Sequence, residues 1–200
     1  MAVIILIRHG KALTNAKGIL NSETEGFPLV EEGRERALRV AMELKKLRVS
    51  KLFSSPVFRA RETAEIIGRE LGLNPIIDDR LRERYFGELM NKAVIDGEWK
   101  FSIDWNGTSM ERWESIEERM ASFMRSVGER NEIIVAVSHD DPIRAAIIVA
   151  LGIDPSLETG LKPTYAAMNI IATKPSYKVI AMSCPVLDGE TVKKISSLLQ

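Results

Sequence analysis

The sequence predicts an α/β protein with a three-layer α/β/α fold, a mostly parallel central sheet and helices on both faces. Two aliphatic runs, 2–7 and 132–138, are continuous and rich in Val and Ile, as expected of strands that are covered on both faces. Segments with helical periodicity alternate with the strand candidates along the chain. The composition, 45% hydrophobic and 28% charged over 200 residues, indicates a single domain, 1–200, with a sizeable core.

Four further segments are strand candidates. They are 51–55, 74–79, 164–173 and 177–184, the first two being weaker than the others. Lys174-Pro175-Ser176 separates the last two segments, so we expect them to form a hairpin near one edge of the sheet. Such an edge is available for pairing with a second copy of the chain, and a homodimer therefore stays open as an alternative to a monomer.

The predicted helices have apolar residues at helical spacing and recognisable start signals. Two segments with such an apolar stripe are 31–47 and 109–127. Ser55 followed by Pro56 predicts the start of another helix, with the serine as N-cap. Asp141 followed by Pro142 predicts a further helix in the same way.

Charge and composition exclude several classes of function. Lys+Arg and Asp+Glu each number 28, so no net field draws the chain to nucleic acid or to an anionic membrane. Cys184 is the only cysteine, which excludes an internal disulfide and disfavours a thiolate metal site. No apolar run reaches membrane-spanning length, and no basic segment precedes the N-terminal run as in a signal peptide. We therefore expect a cytoplasmic protein without nucleic-acid or membrane partners.

The region 84–108 is less regular than the rest of the chain. Two interpretations stay open, a small flap over a functional site and an excursion on the surface. Its aromatic residues Phe86, Trp99 and Trp105 are candidates for an apolar wall of that site; the alternative is that they pack beneath the excursion.

The two histidines each directly follow a strand candidate. His9 follows the first aliphatic run, and His139 follows the run at 132–138. Ligands of open α/β sheets bind outside the carboxyl ends of the strands, so the two rings are placed to face one another. The alternative is two unrelated loop histidines. Gly10, next to His9, is predicted to allow a sharp turn and a close approach of the backbone to ligand oxygens.

Two arginines favour a phosphoryl ligand at these histidines. Arg8 precedes His9, and Arg59 lies in the first turn of the helix predicted to begin at Ser55-Pro56. Guanidinium groups bind phosphate oxygens bidentately, and helix N-termini favour anions. No His-x-x-x-His pattern or carboxylate cluster supplies metal ligands around either histidine. The pattern therefore predicts a phosphoryl site without metal or cofactor.

Four segments resemble, in order, the signatures of the histidine phosphatase superfamily, the family of the cofactor-dependent phosphoglycerate mutases and many small phosphatases. The segments read LIRHG, SSPVFRARETAEII, LRERYFGEL and VSHDDPIRA. The likeness covers roughly residues 3 to 150, and the later hairpin fits the family's last strands. It implies the same α/β/α fold with a mostly parallel sheet.

The resemblance also implies roles for individual residues. His9 falls on the family's nucleophile, which forms a phosphohistidine intermediate. Arg8, Arg59 and His139 fall on residues that hold the phosphoryl oxygens. Asn15 matches an asparagine that often joins this pocket.

Glu83 falls on the general acid that protonates the leaving oxygen. Asp140 is a rival for this role, because acid-phosphatase relatives carry a proton-donating aspartate directly after the second histidine. LRERYFG matches the branch of the family that uses a glutamate, so we prefer Glu83.

The expected function is metal-independent hydrolysis of a small phosphorylated metabolite. The segment 89–112 has no adjacent arginine pair of the kind with which mutases bind a substrate carboxylate. The alternative is a 2,3-bisphosphoglycerate-dependent phosphoglycerate mutase, because ERYFG and the nearby NK echo the mutases. An inactive phosphate-binding or interaction protein is disfavoured, because none of the matched site residues has been replaced.

Overall fold

Six strands form one mixed sheet in the computed structural model, which describes residues 1–93, 109–129 and 131–199. The strands are β1 (Val3–Arg8), β2 (Val49–Ser54), β3 (Ile76–Ile77), β4 (Ile133–Ser138), β5 (Met168–Ala172) and β6 (Lys178–Cys184). Their order is β3-β2-β4-β1-β5-β6. The first four strands in this order are parallel, and β5 and β6 form the predicted antiparallel hairpin at one edge.

The centre of the sheet is covered on both faces, as the aliphatic runs predict. All six residues of β4 are buried, and so are the first five of β1. The two strands pair in register from Val3 opposite Ile133 to Arg8 opposite Ser138. The backbone N–H of His9 continues the ladder to the carbonyl of Ser138 at 3.0 Å. The chain segments that carry the two histidines therefore leave the sheet side by side.

Helices cover the two faces and complete the three layers. They are α1 (Leu13–Ala16), α2 (Glu31–Leu44), α3 (Phe58–Leu71), α4 (Trp113–Val127), α5 (Asp140–Leu151) and α6 (Gly189–Ser197). Alternate residues of β1 point to opposite faces of the sheet. Ile5 packs with α2, α3 and α6, whereas Leu6 packs with α4 and α5. No helix within the described ranges is both long and apolar enough to cross a membrane.

Two predicted helix starts are wrong by one or more residues. Helix α3 begins at Phe58 with Val57 as its N-cap residue, so Ser55 does not cap it. The Ser55 hydroxyl instead accepts from the backbone N–H of Val57 at 3.2 Å, which forms a local turn before the helix. Helix α5 begins at Asp140, which places Asp141 inside the first turn instead of at the cap.

Gly10 has a packing role that differs from the predicted one. A Cβ at this position would lie 2.5 Å from the carbonyl oxygen of Gly33 in α2. Its φ is not in the left-handed region. The glycine is therefore needed because the end of β1 touches the backbone of α2, and not for an unusual turn.

The predicted excursion at 84–108 is described only in part. Its segment 94–108, with Trp99 and Trp105, lies outside the described residues. Gly87–Leu89 forms a single 3₁₀ turn. Phe86 is buried in a small cluster with Leu20 and Met110.

Candidate active site

A cavity of about 390 Å³ opens where β1 and β4 end. Five of the six predicted site residues line it: Arg8, His9, Asn15, Arg59 and Glu83. The sixth, His139, is fully buried behind them, with its ring centre 5.0 Å from that of His9. The structure therefore brings together all the residues that the sequence predicts, and the two histidines do face one another.

The hydrogen bonds of His9 define its tautomer. Nδ1 lies 2.7 Å from the carbonyl oxygen of Gly10. A carbonyl can only accept, so Nδ1 carries the proton and Nε2 presents its lone pair. Arg59 donates to that Nε2 from its Nε at 3.0 Å. Burial and the positive charges of Arg59 and Arg8 hold the pKa of His9 well below its usual value, so the ring is neutral at physiological pH.

Arg59 is fixed at the start of α3 by groups from two other segments. Its Nη2 donates to the backbone carbonyl of Asn21 at 2.8 Å. The Thr63 hydroxyl donates to the carbonyl of Arg59 at 2.7 Å and accepts from the N–H of Gly10 at 3.0 Å. Burial lowers the pKa of Arg59 to about 10, which leaves the side chain cationic at neutral pH. Thr63 thus ties the turn after β1 to the first turn of the helix.

Arg8 approaches the cavity from the end of β1. Its Nη1 donates to the carbonyl of Pro163 at 2.8 Å and lies 3.2 Å from Oδ1 of Asp140. The guanidinium carbon is 4.0 Å from the centre of the Tyr165 ring, a cation–π contact. These three contacts fix the position of a cation in the wall of the cavity.

His139 is positioned by Ser55, the residue that directly follows β2. Its Nε2 lies 2.8 Å from Oγ of Ser55. Its Nδ1 is buried and has no hydrogen-bond partner within the described part of the chain. Burial and the charge of Arg59 lower the pKa of His139 well below its usual value. A neutral ring with an unsatisfied nitrogen beside His9 suits contact with a phosphoryl oxygen.

Glu83 is a buried carboxyl that lines the cavity. Its Oε1 accepts from the backbone N–H of Arg84 at 2.9 Å. Burial and the negative charge of Asp141 raise the pKa of Glu83 to about 7, against the opposing influence of Arg59. The carboxyl therefore exchanges its proton close to neutral pH.

The rival carboxylate, Asp140, is engaged by two arginines. It lies 3.2 Å from Arg8 and 3.7 Å from Nη1 of Arg144. Arg144 is itself buried and lies 2.6 Å from Oδ1 of Asp141. The two aspartates at the start of α5 thus form an ion-pair network that borders the cavity.

Asn15 lines the cavity from α1. Its Oδ1 accepts from the backbone N–H of Ala12 at 2.9 Å, a bond to the N-cap residue of this short helix. Its amide NH₂ group is the donor left for a ligand.

Several residues of the site were not predicted from the sequence. Tyr165 and Asn21 line the cavity, and Ser55 was interpreted as a helix cap. Neither Tyr165 nor Asn21 belongs to a recognisable motif, so no local signal marked them. Phe86, one of the aromatic residues predicted to form an apolar wall of the site, does line the cavity.

Among the described residues, no group of three or more His, Cys, Asp or Glu side chains is arranged to hold a metal ion.

The sequence is similar to that of known proteins. A family model, the histidine phosphatase superfamily (branch 1), matches residues 4–183. The chain is 32% identical over 182 residues to the 2,3-bisphosphoglycerate-dependent phosphoglycerate mutase of Thermoplasma acidophilum, covering 86% of this chain and 87% of that protein.

Solved structures share the fold at lower identity. The alpha-ribazole phosphatase from Shigella flexneri superimposes with a TM-score of 0.79 at 19% identity, over 93% of this chain and 98% of that one. The phosphoserine phosphatase from Entamoeba histolytica gives a TM-score of 0.78 at 21% identity, over 96% and 100%. With a family match over nearly its whole length, this chain belongs to the histidine phosphatase superfamily and is an enzyme of that family.

Proposed function

We propose that this enzyme hydrolyses the phosphomonoester of a small metabolite, without a metal ion, through a phosphohistidine at His9. The state of the His9 ring carries the proposal. The ring is neutral, its Nδ1–H donates to the Gly10 carbonyl, and its Nε2 lone pair points at the cation of Arg59. A nucleophile and a cation that can hold phosphoryl oxygens thus meet at one point of the cavity.

In the first step, Nε2 of His9 attacks phosphorus and the bond from phosphorus to the ester oxygen breaks. Its electron pair stays on the leaving oxygen, which takes the proton of Glu83. The products are an alcohol and the phosphohistidine. The imidazolium formed keeps its Nδ1–H on the carbonyl of Gly10. Arg8, Arg59, the Nδ1 side of His139 and the amide of Asn15 bind the equatorial oxygens, whose charge is best stabilised by fixed donors.

In the second step, the Glu83 carboxylate takes a proton from water while the water oxygen attacks phosphorus. The bond between phosphorus and Nε2 breaks, its electron pair returns to His9, and inorganic phosphate leaves. A pKa of about 7 suits Glu83 for both directions of proton transfer, because both protonation states are populated near neutral pH.

The shape and charge of the cavity favour hydrolysis over a mutase reaction. Arg8 and Arg59 are the basic residues among the described residues that line it, and both belong to the phosphoryl pocket. Ile19, Leu20 and Phe86 form an apolar side. A mutase needs further cations for the substrate carboxylate and for a bisphosphate. The solved structures with this fold also include an alpha-ribazole phosphatase and a phosphoserine phosphatase.

A phosphoglycerate mutase is the second candidate, because a relative with that activity is 32% identical over most of both chains. The two candidates differ in what happens to the phosphohistidine. Transfer to water releases phosphate, whereas transfer to a second hydroxyl returns it to an organic acceptor.

The test is made with purified enzyme in EDTA. We expect p-nitrophenyl phosphate to be hydrolysed, H9A to be inactive, and a phosphohistidine to be trapped by ³¹P NMR after acid-free quenching. Activity that requires an added metal, or full activity of H9A, contradicts the proposal. In a second assay, 3-phosphoglycerate is supplied with catalytic 2,3-bisphosphoglycerate. Accumulation of 2-phosphoglycerate in excess of free phosphate would favour the mutase.

A further inference from the structure

A second cavity, of about 540 Å³, lies beside the active-site cavity, and Tyr165 lines both. The second cavity is formed by α2 and by the segments that precede β5 and follow β6. Its walls include the apolar side chains of Val40, Met42 and Val186. Charged residues of α2 also line it: Glu32, Arg36, Arg39 and Glu43. Tyr165 is half-buried, and it is a residue that the two cavities share. The first cavity contains the predicted catalytic residues, and the second does not.

The backbone on both sides of Tyr165 is anchored. The N–H of Thr164 donates to the Ser183 hydroxyl at 3.0 Å, and the N–H of Ala166 donates to the carbonyl of Arg8 at 2.9 Å. Ala166 has a φ of 47°, a left-handed conformation that is unfavourable for a residue with a Cβ. Backbone strain of this kind persists where the surroundings enforce it. The ring thus has a defined place and is not carried by a loose loop.

The ring also contacts the phosphoryl pocket. The guanidinium carbon of Arg8 lies 4.0 Å from the ring centre of Tyr165. The ring centres of Tyr165 and His9 are 5.8 Å apart. The leaving group of a phosphate ester bound at His9 must extend away from the nucleophile, within a cavity that Tyr165 bounds on one side.

We propose that the ring of Tyr165 separates the active site from the second cavity and determines specificity by limiting the size of the leaving group. The inference rests on the proposed phosphomonoesterase function. With the ring in place, substrates with small leaving groups are preferred. Without it, the two cavities join, and the second, whose wall surface is more apolar than polar, accommodates a bulky aryl or alkyl leaving group.

The test compares kcat/KM for sn-glycerol 3-phosphate and for 2-naphthyl phosphate in wild type, Y165F and Y165A. The two esters differ in intrinsic reactivity, but this difference cancels when their ratio is compared between variants. We expect Y165F to keep the wild-type ratio within about twofold, because the ring is retained. Y165A should raise the naphthyl-to-glycerol ratio at least tenfold, a change worth about 1.4 kcal/mol.

A second substitution tests whether the gain uses the second cavity. Val186 lines that cavity, is 57% exposed and is not among the residues that line the active-site cavity. V186W alone should leave both rates unchanged, and in the Y165A background it should remove most of the gain. A Y165A ratio equal to wild type, or a gain that V186W does not reduce, overturns the inference.

Two controls separate the possible failures. Wild-type enzyme that hydrolyses neither ester contradicts the proposed function itself, whereas hydrolysis with an unchanged ratio contradicts only the role of Tyr165. Thermal unfolding reports whether Y165A is folded. If it is not, Y165L retains part of the packing and carries the same test, with a smaller rise of the ratio expected.

Discussion

Nε of Arg59 donates a hydrogen bond of 3.0 Å to Nε2 of His9, the atom that attacks phosphorus in the proposed mechanism. The same guanidinium is anchored on its far side by the carbonyl of Asn21. The nucleophile is therefore oriented by the cation that would bind the phosphoryl oxygens. A phosphoryl group that enters between them meets a lone pair and a positive charge already aligned, which is how preorganised sites lower the cost of reaching the transition state.

Arg59 is expected to be essential, and Arg61 on the same helix provides its matched control. R59K keeps a charge but loses the planar fork, and we expect kcat/KM to fall about 100-fold or more, the loss typical of one transition-state donor. Arg61 is partly exposed, pairs with Glu25 at 3.2 Å and does not line the cavity. R61K should remain within twofold of wild type. The assignment fails if the two variants behave alike.

The pH profile of kcat/KM should have an alkaline limb set by Glu83. The leaving oxygen needs a proton, so activity requires the protonated carboxyl and should decline as pH rises through about 7. Protonation of His9 would inactivate the nucleophile only well below its usual range, because its pKa is lowered. Initial rates from pH 5 to 9 measure the profile. An alkaline limb that persists unchanged in E83Q rules out this assignment.

E83Q should also discriminate between leaving groups. An alkyl phosphate needs the proton, whereas p-nitrophenolate is a good leaving group without one. We expect the variant to lose roughly 10²–10⁴-fold in kcat with the alkyl ester. The loss in formation of the phosphohistidine should be much smaller with p-nitrophenyl phosphate, measured as the burst of nitrophenolate in rapid mixing. Equal losses on both esters would point to a structural effect.

The raised pKa of Glu83 also makes a prediction for stability. The pKa of Glu83 in the folded state lies above its unfolded value of 4.5. The free energy of unfolding is therefore highest below pH 4.5 and decreases as pH rises through about 7. This difference between the two pKa values lowers the free energy of unfolding by about 3 kcal/mol at pH 8. E83Q removes this cost, so urea unfolding should show a stabilised variant at pH 8 and little difference at pH 4. Equal stability at both pH values contradicts the assigned pKa.

Ser55 should affect activity through His139. Its hydroxyl is 2.8 Å from Nε2 of that histidine, and one such hydrogen bond contributes about 1 kcal/mol. We expect S55A to lower kcat/KM about fivefold, the factor to which this free energy corresponds. The neighbouring Ser54 is equally buried, but its hydroxyl donates to the carbonyl of Ser55. S54A should therefore change kcat/KM less than threefold, and a loss equal to that of S55A would deny the specific role.

Local pattern was sufficient for the strands and for the residues at their ends. A strand covered on both faces must be aliphatic throughout, so β1 and β4 were recognisable from their runs, and His9 and His139 followed from their positions directly after them. Arg8 and Arg59 were predicted from their places at a strand end and a helix start, and Glu83 and Asn15 from the resemblance to the family. The part of the excursion at 94–108 lies outside the described residues, so the interpretation of Trp99 and Trp105 stays a prediction.

Contacts between distant parts of the chain decided the rest. Ser55 has the sequence of a helix cap, but its hydroxyl lies against His139, 84 residues away, and α3 starts later than the motif suggests. Gly10 is required by the backbone of Gly33, and not by a turn. The pKa of Glu83 depends on burial and on Asp141, neither of which its own motif contains.

The sequence by itself determined the layered architecture and the chemical groups of the site, because periodicity and motifs are local properties of the chain. Tertiary structure decided the tautomer of His9, the proton affinity of Glu83 and the position of Tyr165, which two cavities share. These depend on desolvation and on hydrogen bonds between segments that meet only when the sheet and its helices have packed.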